Sequence, residues 1–509
     1  MLTAGAAAAS VGLAGPGHIA RRRGRPNVVI FTFDDCDAGS LGCFGSPLKG
    51  VTPNFDKLAS EGLRFTHAFT TTPTCQPSRL SLMTGNDTST NKTWGHDDEL
   101  ALDAQTLPQV LREHGYFTAI IGKQPDYQPQ EAFKWSLSRD SHGNYLTPDT
   151  WDRQNDGYQS MWRSPEGFYR GVRKLVREAR DAPFFLSLNT SDPHRPWPGS
   201  VDEPLMASLL DGIAPSFLPL RPYEKNYSPL EVPVPGYLPD LPGVRVDRAQ
   251  YSSALHNGDK ALGRIIDALK EMGVYDNTIF IALSDQGASF PMSKQSLYPH
   301  GLNLGLVVRW PGLSRGKVSS EMLSVADIMP TVTELLGLRT SRPMDGRSFA
   351  RLLRGESQTG RPRLFTQYSN AKPGAQVFPM RGIQTAGHLY IFNGWHNEVM
   401  IIEGKEHKII YDGRTDPLIG LAWRAMKDAA ATNEKLRKRV DFVRLRAPHE
   451  LYDLKKDPFC LKNLADSASH AATFAEMKYI MAREMEMRSD PLLPKFHGTG
   501  RLPAEWSSL

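Results

Sequence analysis

At 509 residues the chain is too long for one simple core and implies about two domains, and its 40% hydrophobic and 23% charged residues are an ordinary globular balance. A formal charge of +5 tolerates an anionic substrate but is too weak and dispersed for a nucleic-acid partner. No apolar run of about 18 residues occurs, so no membrane span is expected.

Residues 2–15 (LTAGAAAASVGLAG) are small and weakly apolar, and the basic run Arg21-Arg22-Arg23 comes after them, whereas export signals are basic first. The segment resembles a truncated twin-arginine signal, which implies a periplasmic or extracellular protein. A disordered tail on a cytoplasmic protein is the alternative, and residues 1–25 are set apart either way.

An α/β pattern follows. Residues 28–33 (VVIFTF) form a continuous apolar run, as expected of a strand buried on both faces of a parallel sheet, and end in Asp34-Asp35. A helix is expected next, capped by Thr52, with Pro53 at its first position and Gly62 closing it. Residues 117–121 (FTAII) end in Gly122-Lys123, and residues 184–188 (FFLSL) run into Asn189, Asp192 and His194. Leu255, Leu262, Ile265, Ile266, Leu269 and Met272 recur at helical spacing. They precede residues 278–283 (TIFIAL), which end in Ser284-Asp285-Gln286-Gly287; residues 304–308 (LGLVV) supply a fifth strand.

Open α/β sheets bind ligands outside the carboxyl ends of their strands. An Asp at one strand end is ordinarily a turn or a helix cap. Four such ends delivering Asp-Asp, Lys, His and Asp-Gln to one edge point instead to a metal held by carboxylates beside an oxyanion held by cations.

The four cysteines, Cys36, Cys43, Cys75 and Cys460, are too few for a disulfide framework and match no common zinc spacing. Cys36 and Cys43 are close enough in sequence to pair, but two buried thiols is the preferred reading. Cys75 opens a short expected helix, with Pro77 near its start and Gly85 at its end. A thiol at a helix N-terminus is expected to have a lowered pKa and to act as a nucleophile, although a lone cysteine is more often inert.

Cys75-x-Pro77-Ser78-Arg79 with Thr84-Gly85 resembles the signature of the formylglycine-dependent sulfatases, in which the cysteine is oxidised to formylglycine. The resemblance spans nearly the whole chain. It includes Pro26-Asn27-Val28, Thr52-Pro53-Asn54, Asp192-Pro193-His194-Arg195-Pro196, Trp310-Pro311-Gly312, Glu450-Leu451-Tyr452-Asp453, Asp457-Pro458 and Asn463-Leu464. Ile120-Ile121-Gly122-Lys123, Phe290-Pro291 and Phe378-Pro379-Met380-Arg381 are similar to the heparan N-sulfatases, or sulfamidases, and their bacterial relatives.

This resemblance implies an alkaline-phosphatase-like α/β fold: a large mixed, mostly parallel sheet sandwiched by helices, with a smaller antiparallel C-terminal subdomain. It implies hydrolysis of sulfate esters or sulfamates on a sulfated sugar or polysaccharide, after maturation by a formylglycine-generating enzyme. Asp34, Asp35, Asp285, Gln286 and the position-75 side chain resemble the ligands of one Ca²⁺, with Mg²⁺ as the alternative hard cation. Gln286 stands where Asn is commoner. Hydrated formylglycine would present two hydroxyls, one to attack sulfur and one to expel sulfate. Arg79, Lys123 and Lys294 would stabilise the gem-diol and the sulfuryl oxygens, and His194 would protonate the leaving atom.

One departure stands out. Many sulfatases carry a histidine two residues after the strand-end lysine; here the sequence reads Lys123-Gln124-Pro125, leaving Gln124 or His96 as candidate substitutes. Two rival functions follow: a phosphate or phosphonate ester hydrolase of the same superfamily, and a catalytically impaired polysaccharide-binding homologue.

The proline-rich stretch 198–246 reads equally as a substrate-pocket wall or a packed excursion. Residues 26–358 are assigned to the catalytic domain. After about Gln358 the composition turns to short strand-like pieces, including 387–392 and 408–411, then helix, assigned to a subdomain spanning 359–509. From it Gln376, Phe378, Met380 and Arg381 could reach into the pocket, with Arg381 pairing either a substrate carboxylate or second sulfate, or equally forming a surface salt bridge. Lys123→Ala should slow turnover at least ~10²-fold, a typical electrostatic contribution, while Pro125→His should not abolish it. Near-normal turnover in Lys123→Ala would remove that residue from the catalytic set.

Overall fold

Each apolar run ending in polar residues is a strand. In chain order these are β1 (Asn27–Phe33), β2 (Leu63–Phe69), β3 (Phe117–Ile121), β4 (Phe184–Asn189), β5 (Thr278–Ser284), β6 (Asn303–Arg309), β7 (Lys317–Ser319) and β8 (Leu323–Ser324). They form an 8-stranded sheet in the order β3-β4-β1-β5-β6-β2-β7, with β8 paired to β2. The computed structural model describes residues 24–95, 98–141, 143–147, 162–201, 203, 220–312, 316–369, 378–395 and 420–499. Gln376, His96, residues 408–411, most of the N-terminal tail and part of the proline-rich stretch lie outside them.

β3, β4, β1 and β5 are neighbours and run parallel, so their carboxyl ends share one edge. β6 then pairs antiparallel to β5, and β2 antiparallel to β6, making the sheet mixed. The continuous apolar character of the central strands has a direct cause. Val29, Phe31 and Phe33 of β1 enter one core, while Val28 and Ile30 enter the other, so both parities must be apolar.

Helices fill the two cores. α1 (Pro53–Glu61) starts after Thr52 and stops before Gly62, and α2 (Cys75–Thr84) stops before Gly85. α3 (Pro165–Ala179) and α4 (Pro242–Glu271) pack on the face that receives Phe31, with Leu255, Leu262, Ile265 and Leu269 of α4 buried there. Leu80, Leu82 and Met83 of α2 join the opposite core. No helix among the described residues is long and apolar enough to cross a membrane.

A second sheet of four strands is antiparallel, in the order β12 (His449–Asp453), β11 (His388–Asn393), β10 (Met380–Gln384) and β9 (Leu364–Tyr368). Met477, Met481 and Met485 of α5 (Ala471–Met487) give it a separate small core. Gln367 N–H donates to the Thr71 carbonyl at 3.0 Å, which ties β9 to the segment leading into α2. All four cysteines are free thiols, so Cys36 and Cys43 do not pair.

Arg381 does not face a substrate. It is wholly buried on β10, its guanidinium forked onto Asp490 at 2.5 and 3.1 Å, with further bonds to Ser369 Oγ at 3.1 Å and the Met380 carbonyl at 2.9 Å. Its charge and donors are committed to holding the C-terminal segment against the second sheet. Arg381→Ala would strand a buried carboxylate and should destabilise the protein by about 3–5 kcal/mol in denaturant unfolding. It should change turnover of acidic and neutral sulfated sugars by the same factor. A selective loss on acidic sugars would return Arg381 to the substrate site.

Candidate active site

The carboxyl edge of β3-β4-β1-β5 is closed by the first turn of α2, and the side chains singled out in the sequence meet there. Gly122 shows how tightly the strand ends approach: at φ +76° it lies in the left-handed region, and a Cβ on it would sit 2.1 Å from the Asn189 carbonyl oxygen. Lys123 and Asp35 also adopt positive φ, 61° and 65°, as the chain turns sharply off β3 and β1.

Cys75, the first residue of α2, is buried, and its Sγ lies 3.4 Å from Asp34 Oδ1 and 3.2 Å from Gln286 Nε2. One turn on, Arg79 is inaccessible to solvent. Its Nη1 donates to Thr32 Oγ1 and Asn189 Oδ1, both at 2.8 Å, and its Nη2 pairs with Asp285 Oδ2 at 2.7 Å. Asp34 Oδ1 is 3.7 Å from Nη2, and Asp126 Oδ2 is 3.4 Å from Nε. Ser78 Oγ donates to the Asp285 carbonyl at 2.5 Å, so two successive positions, Ser78 and Arg79, lock α2 to the sheet edge.

Two lysines complete the cation set. Lys123 Nζ lies 2.6 Å from Asp34 Oδ2, and Lys294 Nζ lies 3.0 Å from each oxygen of Asp35. His194 Nε2 is 3.7 Å from Asp35 Oδ2, and its Nδ1 contacts the Arg195 carbonyl. A carbonyl only accepts, so Nδ1 carries the proton, and Nε2 carries a second one only when the ring is cationic.

The electrostatics are dominated by burial among like charges. Asp285 is pushed up to about 8 by desolvation; Arg79 opposes this, and Asp34 and Asp35 reinforce it. Asp34 goes the other way: burial would raise it, but Lys123, His194, Arg79 and Lys294 together hold it well below the carboxylate range. The Cys75 thiol is pushed well above its ordinary value by burial first and Asp34 next, with Lys294 and Lys123 opposing. The expected lowered thiol pKa is therefore not found. Desolvation and a neighbouring carboxylate outweigh the helix N-terminus, and an unmodified Cys75 stays a neutral thiol, a poor nucleophile.

The carboxylates of Asp34 and Asp35 offer hard oxygen donors to a metal ion, whereas the Cys75 sulfur and the His194 nitrogen are softer. Oxygens of Asp34 and Asp35, Sγ of Cys75 and a nitrogen of His194 lie within 4.8 Å of one another. Gln286 Oε1 is buried without a hydrogen-bond partner, and its Nε2 faces Asp35 and Cys75; turning the amide over would aim the oxygen there. Asp285 is differently employed: Oδ1 accepts from the Asp35 and Gln286 N–H groups at 3.1 and 2.9 Å, and Oδ2 takes Arg79.

Supporting residues not singled out from the sequence, Arg163, Tyr223, Asn257 and Asp247, join others that were. Arg163 donates to the His194 carbonyl at 2.6 Å and the Pro196 carbonyl at 2.8 Å, and pairs with Asp192 at 3.1 Å. Asp192 also accepts from Tyr223 at 2.7 Å and Asn257 at 2.8 Å, so it anchors the His194 loop. Arg195 pairs with Asp247 at 2.7 Å and lies over the Trp197 ring at 4.0 Å. Gln124 is buried with its amide on the Ile120 and Leu146 carbonyls, so it does not replace the absent histidine.

Comparison with known proteins agrees with this geometry. The sulfatase family model matches residues 26–338, and the C-terminal model of N-sulphoglucosamine sulphohydrolase matches residues 290–418. The chain belongs to the sulfatase family. Human N-sulphoglucosamine sulphohydrolase is 25% identical, with 92% of each chain covered. A solved structure described as bound to its substrate D-glucosamine-2-N,6-O-disulfate has a TM-score of 0.63 at 20% identity, covering 92% of this chain and 99% of that one. The phosphonate monoester hydrolase of Agrobacterium radiobacter has a TM-score of 0.62 at 20% identity, covering 91% and 96%. These structural likenesses carry the fold assignment, alkaline-phosphatase-like, over 91–92% of the chain.

Proposed function

We propose that this sulfatase-family protein hydrolyses sulfate esters or sulfamates on sulfated sugars, with formylglycine at position 75 and one calcium ion. The observation that carries the proposal is the setting of Cys75: buried at the start of α2, beside Asp34, Asp35 and Gln286, and ringed by Arg79, Lys123, Lys294 and His194. Human N-sulphoglucosamine sulphohydrolase, matched over nearly its whole length, directs the sugar reading toward N-sulfated glucosamine.

Asp34, Asp35, Gln286 and the position-75 side chain would hold the calcium, and Asp285 would reach it only with lone pairs left over from its present partners. Calcium there would supply a Lewis acid that polarises a sulfate oxygen and makes a neighbouring hydroxyl easier to deprotonate. Hydrated formylglycine would supply the attacking and expelling hydroxyls that a neutral thiol lacks.

The chain's own residues supply the rest. Lys123 and Lys294 approach position 75 from the β3 and β5 sides and would take up charge on the sulfuryl oxygens. Arg79 fixes the orientation of α2 against the sheet edge. His194, hydrogen-bonded at Nδ1, would deliver a proton from Nε2 to the departing oxygen or nitrogen, which requires the imidazolium form. Maturation by a formylglycine-generating enzyme and export from the cytoplasm complete the proposal.

The test is hydrolysis by the calcium-loaded full chain, co-expressed with a formylglycine-generating enzyme. N-sulfoglucosamine, an O-sulfated glucosamine, an aryl sulfate and an aryl phosphonate would be assayed in parallel. Turnover of a sulfated substrate above the phosphonate is expected, lost on chelation, restored by Ca²⁺ and absent in Cys75→Ala. Faster phosphonate turnover would make the protein a phosphonate ester hydrolase. Polysaccharide binding without hydrolysis of any of the four would make it a binding protein.

A further inference from the structure

The turn after Lys123 holds a carboxylate where the resemblance leads one to look for an imidazole. Gln124, Pro125 and Asp126 form a single 3₁₀ turn, closed by the Asp126 N–H on the Lys123 carbonyl at 3.0 Å. Pro125 suits this turn, because its fixed φ is preset for the tight conformation. The turn carries the Asp126 side chain back beside the residue that precedes it. Asp126 is 4% exposed, and its Oδ2 lies 3.5 Å from Lys123 Nζ and 3.4 Å from Arg79 Nε.

We propose that Asp126 is the positioning residue of this site: it holds the Lys123 ammonium and the Arg79 guanidinium in place beside position 75. The proposal rests on the sulfatase reading above and names a part that the reading does not supply.

The geometry explains why such a residue is needed. Lys123 Nζ is already 2.6 Å from Asp34 Oδ2, and Asp34 is the carboxylate nearest Cys75 Sγ. With Asp34 as its only anion, the ammonium would settle fully on a side chain that must also serve a cation. Asp126 offers a second carboxylate, at 3.5 Å against 2.6 Å for Asp34, so the lysine is shared unequally between the two. Asp126 is 3.4 Å from Arg79 Nε, while Asp285 and Asp34 face Nη2. One carboxylate therefore fixes both cations relative to each other.

Neutralising Asp126 removes a negative charge from a site for an anion, so an effect on positioning and an effect on binding move in opposite directions. The measurement is a double-mutant cycle of wild type, Asp126→Asn, Lys123→Ala and the double variant, using the calcium-loaded, formylglycine-matured full chain. Steady-state kinetics with N-sulfoglucosamine would be read beside calorimetric titration with inorganic sulfate. Asp126→Asn should lower kcat about tenfold, within the range for coupled neighbours, while sulfate binds no more weakly than to wild type. Asp126→Glu should recover part of the loss. The double variant should be slower than Lys123→Ala by clearly less than the tenfold loss of Asp126→Asn alone, because Asp126 acts in part through the lysine and in part through Arg79.

Wild-type kcat in Asp126→Asn, or losses that multiply in the double variant, would overturn the proposal. Absence of wild-type turnover would sink the sulfatase reading by itself. The titrations then decide on Asp126: sulfate affinity that depends on Lys123 equally with and without Asp126, or no sulfate binding at all, overturns the positioning role.

Discussion

A single buried guanidinium joins the ends of the strands that carry the site. Arg79 reaches Thr32 on β1, Asn189 on β4, Asp285 just beyond β5 and Asp126 in the turn after β3, all from the second turn of α2. Burying such an ion costs several kcal/mol unless its charge is compensated; here Nη1 makes two hydrogen bonds, while Nη2 and Nε are ion-paired with Asp285 and Asp126 without hydrogen-bond geometry. The arrangement is also directional. Because guanidinium is planar, satisfying four partners at once fixes where α2 starts, and so fixes Cys75 beside Asp34. The signature arginine is thus as much a structural clamp as an electrostatic one.

What surrounds that clamp is an electrostatic problem that the protein leaves partly open. Asp34, Asp35, Asp126 and Asp285 crowd together with Arg79, Lys123 and Lys294, one carboxylate more than the fixed cations, and burial, with Asp34 and Asp35 adding to it, pushes Asp285 up. A divalent cation would answer that excess. It would also leave a net positive pocket for a singly charged sulfate, in keeping with the mild basic balance of the whole chain. The neutral state of the Cys75 thiol belongs to the same picture: a site that stabilises oxyanions through cations and carboxylates in alternation does not favour a thiolate.

Much of this was legible in the sequence because it depends on local pattern. Apolar runs buried on both faces and ending in Asp-Asp, Gly-Lys, Asn and Asp-Gln marked the four parallel strands, and Thr52-Pro53 and Gly85 marked helix ends correctly. The signature around Cys75 placed α2 at the sheet edge. Other features depended on partners far away in the chain. Arg381 is claimed by Asp490, 109 residues on, and nothing near Phe378-Pro379-Met380-Arg381 announces it. Arg163 lies 31 residues before the His194 carbonyl it holds. Asp126 is hidden for another reason: the family pattern at that turn is an imidazole, and a carboxylate acting through Lys123 and Arg79 does not match it. The Cys75 thiol was misjudged because helix position can be read from sequence, whereas burial beside Asp34 cannot.

The central claim is that position 75 is built to be formylglycine. The most direct measurement is the mass of the peptide carrying that residue, from protein co-expressed with a formylglycine-generating enzyme alongside a sulfatase known to be converted. The account predicts that the cysteine thiol is replaced by an aldehyde. An untouched cysteine, in a preparation where the control is converted, would contradict it and leave the fold without its nucleophile.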